Sequence, residues 1–531
     1  MKFIVRSLFV LLLLYGLVFA IGDAYLLHSH APLWVVLAFP VFWVAFQFLI
    51  APWGIQMILD IRWDDAHTDL PVRNREFIEK LCAERGLKVP RIGIIESGTP
   101  NAFSFGRLRS DARVVVTSGL LKILTPEEAN AVLAHEIGHI EHWDFAVMTL
   151  AALAPMLLYQ FYVVTEKINN FRAIAYSAYL CYLVSQFIVL LLNRTREYFA
   201  DHYAAEVTHA PDDLSSALVK IAYGMVRADG EYQKVMQGED KEEKSRWGRE
   251  RRLGGSLALM GISNLHSGKA LALGANPVDA AAVMRWDLVN PWARFYELNS
   301  THPLTALRVR ELNRQGSATQ QGNRYMLPQD LRLHWGTFPL ELLVWGAPLL
   351  CIGALFTIWW FPGAFTYLGV TLPDRAVPGL LILAGFTWAL RVAYRYRGKF
   401  QDATIGTLLE DVEVSQMRPR AVRLNGKILG RGEPGAFWSP DLVLRDSTGI
   451  MFILYQQSIP FARFVFGASE AESFVGQEVV VEGWFRRGMT PYVELSKLTG
   501  EYETVHRTYS RWIQLAVALA AMVAGWIWLQ H

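Results

Sequence analysis

The sequence predicts a mainly helical integral membrane protein with a small β-sheet in its N-terminal half and an OB-like β-barrel domain near the C-terminus. Hydrophobic residues make up 52% of the 531 residues, and the mean hydropathy is above zero, as in membrane proteins. Several apolar stretches reach the roughly 20 residues that a bilayer requires. Residues 135–139 read HEIGH, and residues 400–508 show the alternation typical of strands.

We expect seven membrane segments, at about 4–22, 32–52, 147–166, 173–193, 342–361, 376–393 and 512–529. The pair within 147–193 carries many tyrosines, and a helical hairpin in place of two spanning segments is the alternative for it. The first segment can instead be a cleaved signal peptide, because Lys2 and Arg6 precede an apolar run that ends in Val18-Phe19-Ala20.

Charged residues predict the orientation in the membrane. Lys2 and Arg6 place the N-terminus in the cytoplasm, the loop 22–30 has no Lys or Arg, and residues 54–145 are rich in both. The HEIGH segment is therefore expected to face the cytoplasm. The predicted location is the bacterial inner membrane, crossed several times.

The predicted regions follow from these segments and from shifts in composition. They are two membrane segments (1–53), an α/β part with the HEIGH helix (54–145), a membrane hairpin (146–193), a helical region with a long insertion (194–334), two membrane segments (335–399), the OB-like barrel (400–508) and a last membrane segment (509–531). Within the second region, 91–96 and 113–117 read as strands, with a further strand near 101–105.

The HEIGH run predicts a metal site on a helix. Thr125-Pro126-Glu127-Glu128 is a capping box with Pro at the first helical position, and we expect the helix to continue to about Phe145. His135 and His139 are then at i and i+4, so both imidazoles leave one face and can hold one Zn²⁺, while Glu136 stands beside them as a general base for water.

A third ligand is predicted after the next two apolar segments. Glu197 completes the set, and Asp201, four residues later on the same helical face, can accept a hydrogen bond from the free N–H of a ligating His. The alternative is an acidic pair that forms salt bridges to Arg194 and Arg196. His142 and His202 are expected to be surface or supporting residues.

With these residues, the chain resembles the M48 family of membrane zinc metalloproteases, which includes HtpX and the Ste24 CAAX proteases. Pro100-Asn101-Ala102-Phe103 looks like the family's substrate-binding edge, H135-E-x-x-H139 like its zinc helix and E197-x-x-x-D201 like its third-ligand helix. Ser300-Thr301-His302-Pro303 with Arg308 resembles its fourth motif. The resemblance covers about residues 1–315 and implies a zincin fold.

The resemblance also implies roles for these residues. Asn101, Ala102 and Phe103 would bind substrate, His302 would stabilise the charged tetrahedral intermediate, and Arg308 would hold the active-site carboxylates. The expected cofactor is one Zn²⁺ per chain, and the expected partners are protein or peptide substrates and the lipid bilayer.

The expected activity is that of a zinc metalloendopeptidase that cleaves membrane or misfolded proteins. The number of membrane segments before the zinc helix is closer to HtpX than to Ste24. Two alternatives stay open: a Ste24-like processing protease for a defined C-terminal or lipidated peptide, and a catalytically silent scaffold with a structural zinc. An intact Glu136 argues against the scaffold, because a structural site does not need it.

Composition argues against other classes. The three cysteines are far apart, so neither a disulfide framework nor a cysteine zinc site is expected. A net charge of +2 does not indicate a nucleic-acid partner. OB-like barrels often bind oligonucleotides, but here Arg486, Arg487 and neighbouring aromatic residues predict only a faint basic surface. The mixed-charge run 238–252 reads as a solvated segment or a gate.

Overall fold

The computed structural model describes residues 33–64, 69–98, 100–166, 172–221, 280–318, 325, 327, 332–360, 373–431, 440–458, 460–488, 491–501 and 504–531. The chain forms two compact units. The first contains the described residues up to 221 together with 295–318, and the second contains 280–294 together with the described residues from 332 onward. The predicted first membrane segment and the mixed-charge run 238–252 lie outside the described residues.

The sheet of the first unit has four strands: β1 (Arg62–Trp63), β2 (Arg91–Ile95), β3 (Ala102–Phe105) and β4 (Arg113–Thr117). Their order is β1-β2-β4-β3, with β2 parallel to β4 and β3 antiparallel to it, so β3 is an edge strand. The strands predicted at 91–96, 101–105 and 113–117 are confirmed to within one residue. Side chains of β3 alternate between two hydrophobic cores, with Ala102 in one and Phe103 in the other.

The helices of the first unit begin with α1 (Leu33–Ile58), α2 (Val72–Arg85), α3 (Ser118–Ile123) and α4 (Pro126–Glu141). They continue with α5 (Asp144–Glu166), α6 (Arg172–Thr208), the helical residues 211–221 and, after residue 295, the last turn of α8 (Pro291–Glu297) and α9 (Thr305–Ala318). The predicted capping box is present, because Thr125 and Glu128 each accept a hydrogen bond from the other's backbone N–H. Glu128 also accepts from Ser216 Oγ at 2.6 Å and Lys220 Nζ at 2.7 Å.

The expectation that the HEIGH helix continues to Phe145 is wrong. Helix α4 ends at Glu141, and Trp143 has a φ of 60°, which turns the chain before α5 begins at Asp144. Arg109 donates to the Glu141 carbonyl, and its guanidinium lies 5.1 Å from the centre of the Trp143 ring. This local support stabilises a left-handed conformation that a bulky residue rarely adopts.

Six helices of the described chain are long and apolar enough to cross a membrane. They match the last six predicted segments. The spans are Ala38–Ile58, Asp144–Glu166, Ile174–Thr208, Phe338–Trp359, Ala376–Arg395 and Ser510–Gln530.

Among the described residues of the second unit, five helices precede or flank a β-barrel: α7 (Ala280–Val289), most of α8, α10 (Phe338–Trp360), α11 (Ala376–Arg395) and α14 (Ser510–Gln530). The barrel region adds β5 (Gln401–Asp402), α12 (Ile405–Glu410), β6 (Arg420–Arg431), β7 (Leu442–Arg445), β8 (Ile450–Leu454), α13 (Pro460–Ser469), β9 (Glu478–Arg487), β10 (Pro491–Thr499) and β11 (Val505–Arg507). Trp286 and Trp292, in the aromatic segment of α7 and α8, are buried inside this unit.

Five strands close into a barrel in the order β6-β7-β8-β10-β9, with β9 pairing back onto β6. Only β8 and β10 run parallel to each other; the other pairs are antiparallel. Helix α13 lies between β8 and β9, which are the third and fourth barrel strands along the chain. This arrangement confirms the OB-like barrel.

The faint basic surface predicted from Arg486 and Arg487 is wrong, because both side chains are buried. Arg486 donates to the buried Glu494 at 2.7 Å. Arg487 donates to the carbonyls of Leu409 and Val283, and burial lowers its pKa to about 10. The two arginines stabilise the interior of the unit and leave no basic surface of their own.

Candidate metal centre

The HEIGH motif and Glu197 converge on one point. The Nε2 atoms of His135 and His139 are 3.2 Å apart. Glu197 Oε2 lies 3.7 Å from Nε2 of His135, and Glu197 Oε1 lies 3.8 Å from Nε2 of His139. A tetrahedral Zn²⁺ with bonds of about 2.1 Å separates its ligands by about 3.4 Å. Among the described residues, these three form the group that can hold a metal ion.

Close packing between α4 and α6 brings the three side chains together. Gly138, next to His139, faces α6, and a Cβ there would lie 3.0 Å from the Tyr203 ring and 3.3 Å from Cα of Ala200. An added methyl group would crowd both atoms, so glycine at this position permits the close approach of the two helices.

The outer nitrogen of His135 is held by a carboxylate. Asp201 Oδ1 lies 3.0 Å from His135 Nδ1. Arg308 on α9 donates to both oxygens of Asp201, at 2.8 Å from Nε and 2.6 Å from Nη2. A carboxylate at this distance favours the tautomer with Nδ1 protonated, which makes the Nε2 lone pair available to a metal. We call His135, Asp201 and Arg308 the His135 series.

His139 has a carboxylate of its own, which the sequence did not indicate. Asp144 Oδ2 lies 2.6 Å from His139 Nδ1, and Arg196 forms an ion pair with the same carboxylate. Asp144 reaches the histidine because the chain turns at Trp143. We call His139, Asp144 and Arg196 the His139 series. The expected alternative for Arg196, a salt bridge to the acidic pair of α6, does not form among the described contacts.

Glu197 is contacted from the loop before α9. His302 Nδ1 lies 3.1 Å from Glu197 Oε1, and Arg308 Nη1 lies 3.3 Å from Glu197 Oε2. Arg194 on α6 positions this loop by donating to the carbonyls of residues 297, 298 and 300. Burial alone lowers the pKa of Arg308, but the charge and hydrogen bonds of Asp201 outweigh it and raise the pKa. Arg308 is therefore a fixed cation that compensates two buried carboxylates.

Glu136 is buried beside the histidines but is turned toward β3. Its Oε2 accepts a hydrogen bond of 2.8 Å from Ser104 Oγ. The period of two along the strand places Ser104 on the same side as Ala102, the side that contacts α4. Sequence reasoning missed Ser104, although this alternation was available to find it.

The edge strand presents backbone more than side chains. Asn101 is buried, its carbonyl accepts from the Thr117 N–H, and its Oδ1 accepts from the Ala102 N–H. Phe103 is 2% exposed. Since hydrogen-bonded pairs alternate along an antiparallel ladder, the C=O of Ala102 and both backbone groups of Ser104 point to the open edge.

Two other histidines near the motifs, His142 and His202, lie away from the metal group. His142 packs its ring 5.8 Å from that of Tyr203. His202 is exposed on α6. The group that can hold a metal contains neither residue.

Comparison with known proteins assigns the family. The model of Peptidase family M48 matches residues 73–315. A protease HtpX homolog of Methanothermobacter thermautotrophicus is 36% identical over 227 residues, which cover 41% of this chain and 86% of that protein. The chain belongs to peptidase family M48. Together with its six candidate spans, membership makes it a membrane peptidase whose substrates are peptides or proteins.

Other relatives match shorter or similar regions. A protease HtpX homolog of Methanocaldococcus jannaschii is 31% identical over 235 residues, covering 42% of this chain and 80% of that protein. One from Moorella thermoacetica is 37% identical over 163 residues, covering 28% and 54%. Among solved structures, S. mikatae Ste24p has a TM-score of 0.36 at 17% identity and covers 59% of this chain and 66% of its own.

Proposed function

We propose that the chain is a zinc endopeptidase that hydrolyses peptide bonds of membrane or misfolded proteins. The observation that carries this proposal is the position of Glu136. It stands next to the three converging metal-binding side chains, is not one of them, and faces an edge strand. A site that only stabilised the fold would have no use for a buried carboxylate in that place.

His135, His139 and Glu197 would hold the zinc. The neutral Nε2 atoms and the carboxylate are the donors that zinc prefers, and three protein ligands are typical of catalytic sites. When bound, zinc supplies Lewis-acid polarisation of a carbonyl and lowers the pKa of water.

Glu136 acts as the general base. It takes a proton from the attacking water and returns it to the leaving nitrogen of the peptide. The hydroxyl of Ser104 donates to one carboxylate oxygen and so orients the other toward the reacting atoms. Ser104 is thus a positioning residue.

His302 stabilises the charge that develops on the substrate's carbonyl oxygen. Its Nδ1 is at hydrogen-bond distance from Glu197, so Nε2 is the nitrogen left for a substrate. Arg308 and Asp201 hold Glu197 and His135 in place.

An extended substrate adds a strand at the open edge of β3. The free backbone groups of Ala102 and Ser104 read main chain and leave side chains of the substrate largely unread. Such recognition suits a quality-control protease that acts on many sequences, and it places the scissile bond near Glu136. We also propose that the site faces the cytoplasm and that the chain lies in the bacterial inner membrane.

The direct test is Glu136→Gln in the purified full-length protein. We expect one zinc per chain and no cleavage of an unfolded membrane protein, because the base is lost and the ligands remain. Glu127→Gln, exposed in the first turn of the same helix, is the matched control and should cleave normally. Cleavage by Glu136→Gln at the control's rate would refute the mechanism. A prenylated peptide assayed in parallel separates the Ste24-like alternative, which requires cleavage of that peptide alone.

Orientation is tested separately. A cysteine at position 127, on the exposed first turn of α4, should react with an impermeant thiol reagent only from the cytoplasmic side of sealed vesicles. Reaction from the opposite side would reverse the proposed topology and leave the chemistry untouched.

A further inference from the structure

Helix α13 leaves an apolar face uncovered outside the candidate membrane spans. Phe461, Phe464 and Val465 are 73%, 51% and 40% exposed. With Ala468 they occupy positions i, i+3, i+4 and i+7, which form one stripe along the helix. Exposed apolar residues that adjoin one another mark contact sites for proteins or membranes, whereas singly scattered ones are normal on a soluble surface.

The opposite face of α13 is fixed to the barrel. Phe466 is buried and stacks on the Tyr455 ring with 4.0 Å between ring centroids. Its ring also lies 5.4 Å from that of His506, and His506 Nδ1 lies 2.9 Å from Glu470 Oε2, just after the helix. The exposed stripe is therefore held in a set direction, because the helix cannot roll without breaking these contacts.

Both ends of α13 are tied to the start of a candidate membrane span. Ser458 Oγ, two residues before the helix, lies 3.0 Å from Oγ of Ser510, the first residue of α14. Gln457 accepts a hydrogen bond from the Tyr509 N–H at 3.3 Å. At the other end, the contact between His506 and Glu470 joins α13 to the strand that leads into α14.

The beginning of α14 carries aromatic and cationic side chains of the kind found at membrane surfaces. Tyr509 and Trp512 are 56% and 63% exposed at the beginning of α14, and the Arg511 guanidinium lies 5.2 Å from the Trp512 ring. Trp, Tyr and Arg concentrate where a spanning helix meets the headgroups. Helix α13, with its 10 residues, is about 15 Å long, too short to cross a bilayer.

We propose that α13 is an interfacial helix, and that its Phe461–Phe464–Val465 face inserts into the lipid headgroup and upper acyl region beside α14. The occupant is the bilayer itself, because the exposed face is continuous with the point where α14 enters it. Apolar faces of such helices penetrate about 5–10 Å below the surface. The barrel is then anchored to the membrane at two places, by its covalent link to α14 and by α13.

The test uses the full chain without its three cysteines (Cys82→Ala, Cys181→Ser, Cys351→Ala), reconstituted in lipid nanodiscs. A single cysteine replaces Phe464 and carries an environment-sensitive fluorophore. A matched control replaces Glu478, an exposed residue of the same barrel. Glu478 lies six residues, about 20 Å along the strand, before Trp484. The Trp484 ring packs on Tyr396, just after the candidate span α11, so we expect Glu478 to lie away from the membrane surface.

We expect blue-shifted emission at position 464, strong quenching by lipids brominated near the headgroup, weaker quenching by lipids brominated at the chain ends, and little quenching by iodide. The label at 478 should show the reverse. Iodide quenching at 464 equal to that at 478 would show that the face is in water, and protection from both quenchers would show that a protein covers it. Either result overturns the proposal. If Phe464→Cys does not elute as folded protein, position 461 on the same stripe gives the same readout.

Discussion

Replacing Arg308 by glutamine tests the electrostatic account of the metal centre. Arg308 is 1% exposed and contacts both Asp201 and Glu197, which are buried as well. Glutamine keeps a donor but removes the charge. Removing one partner of a buried ion pair costs about 3–5 kcal/mol, because the remaining charges are left uncompensated.

For a domain of this size, about 1 kcal/mol shifts Tm by about 2–4 °C, so the Tm of the chelated protein should fall by roughly 6–20 °C. Thermal unfolding in detergent, with chelator and with one equivalent of zinc, measures it. The fall should be smaller with zinc, since the ion replaces part of the lost positive charge near Glu197. Arg314→Gln on the same helix is the control: that side chain is 62% exposed and pairs with Glu311 alone, so its effect should stay below about 0.5 kcal/mol. Equal Tm values for the two variants, or a larger fall with zinc, would refute the reasoning.

Three further changes probe neighbouring contacts. Asp144→Asn should weaken zinc binding by about 10- to 100-fold in a competition titration, because His139 loses the charge that orients it; unchanged affinity would contradict this. Ser104→Ala should lower turnover by about 10-fold or more with full zinc content, because Glu136 loses a charge-assisted hydrogen bond; loss of zinc would point to a structural role. Burial alone raises the pKa of Glu128. Hydrogen bonds from Lys220, Ser216 and the Thr125 N–H, together with the charge of Lys220, outweigh burial and lower the pKa below 4.5. The stabilisation that ionised Glu128 provides is therefore present above about pH 4.5 and lost as pH falls through the lowered pKa. The Tm of Glu128→Gln should thus lie below that of the wild type at neutral pH, and the two Tm values should converge in acid. A constant difference in Tm across this range would contradict the assignment.

The parts of the site that could be predicted are those encoded by short-range spacing. A capping box at Thr125 and two histidines four residues apart fix the direction of both imidazoles. The same spacing placed Asp201 on the face of Glu197, and the structure brings both to His135. Within each helix the partners are one turn apart, so periodicity places them on a shared face, whereas the approach of α6 to α4 is a long-range contact that periodicity does not give.

Contacts that depend on an irregular backbone could not be predicted. Asp144 meets His139 only because Trp143 adopts a positive φ, and nothing about a tryptophan indicates that conformation in advance. The run of helix-forming residues through this point instead favours one continuous helix. An acidic residue five positions after His139 was no signal by itself, because on a continuous helix it would face away from that histidine.

Long-range pairing limited the prediction of the barrel in a similar way. Strand β10 pairs parallel with β8 across an intervening helix and strand, and no turn signal connects the two. Arg486 and Arg487 are adjacent in a strand, a position that normally sends one side chain outward. Here both are buried, because Glu494 neutralises the first and backbone carbonyls accept from the second.

The charge arrangement at the metal centre explains why the site is suited to a divalent cation. In the His135 and His139 series, each aspartate is paired with an arginine, so each series adds no net charge while it still orients its histidine. Glu197 shares the charge of Arg308 with Asp201, and Glu136 adds a further carboxylate beside the histidines, so the carboxylates outnumber the arginines at the centre. A doubly charged ion compensates this excess in a setting where isolated buried charges are costly.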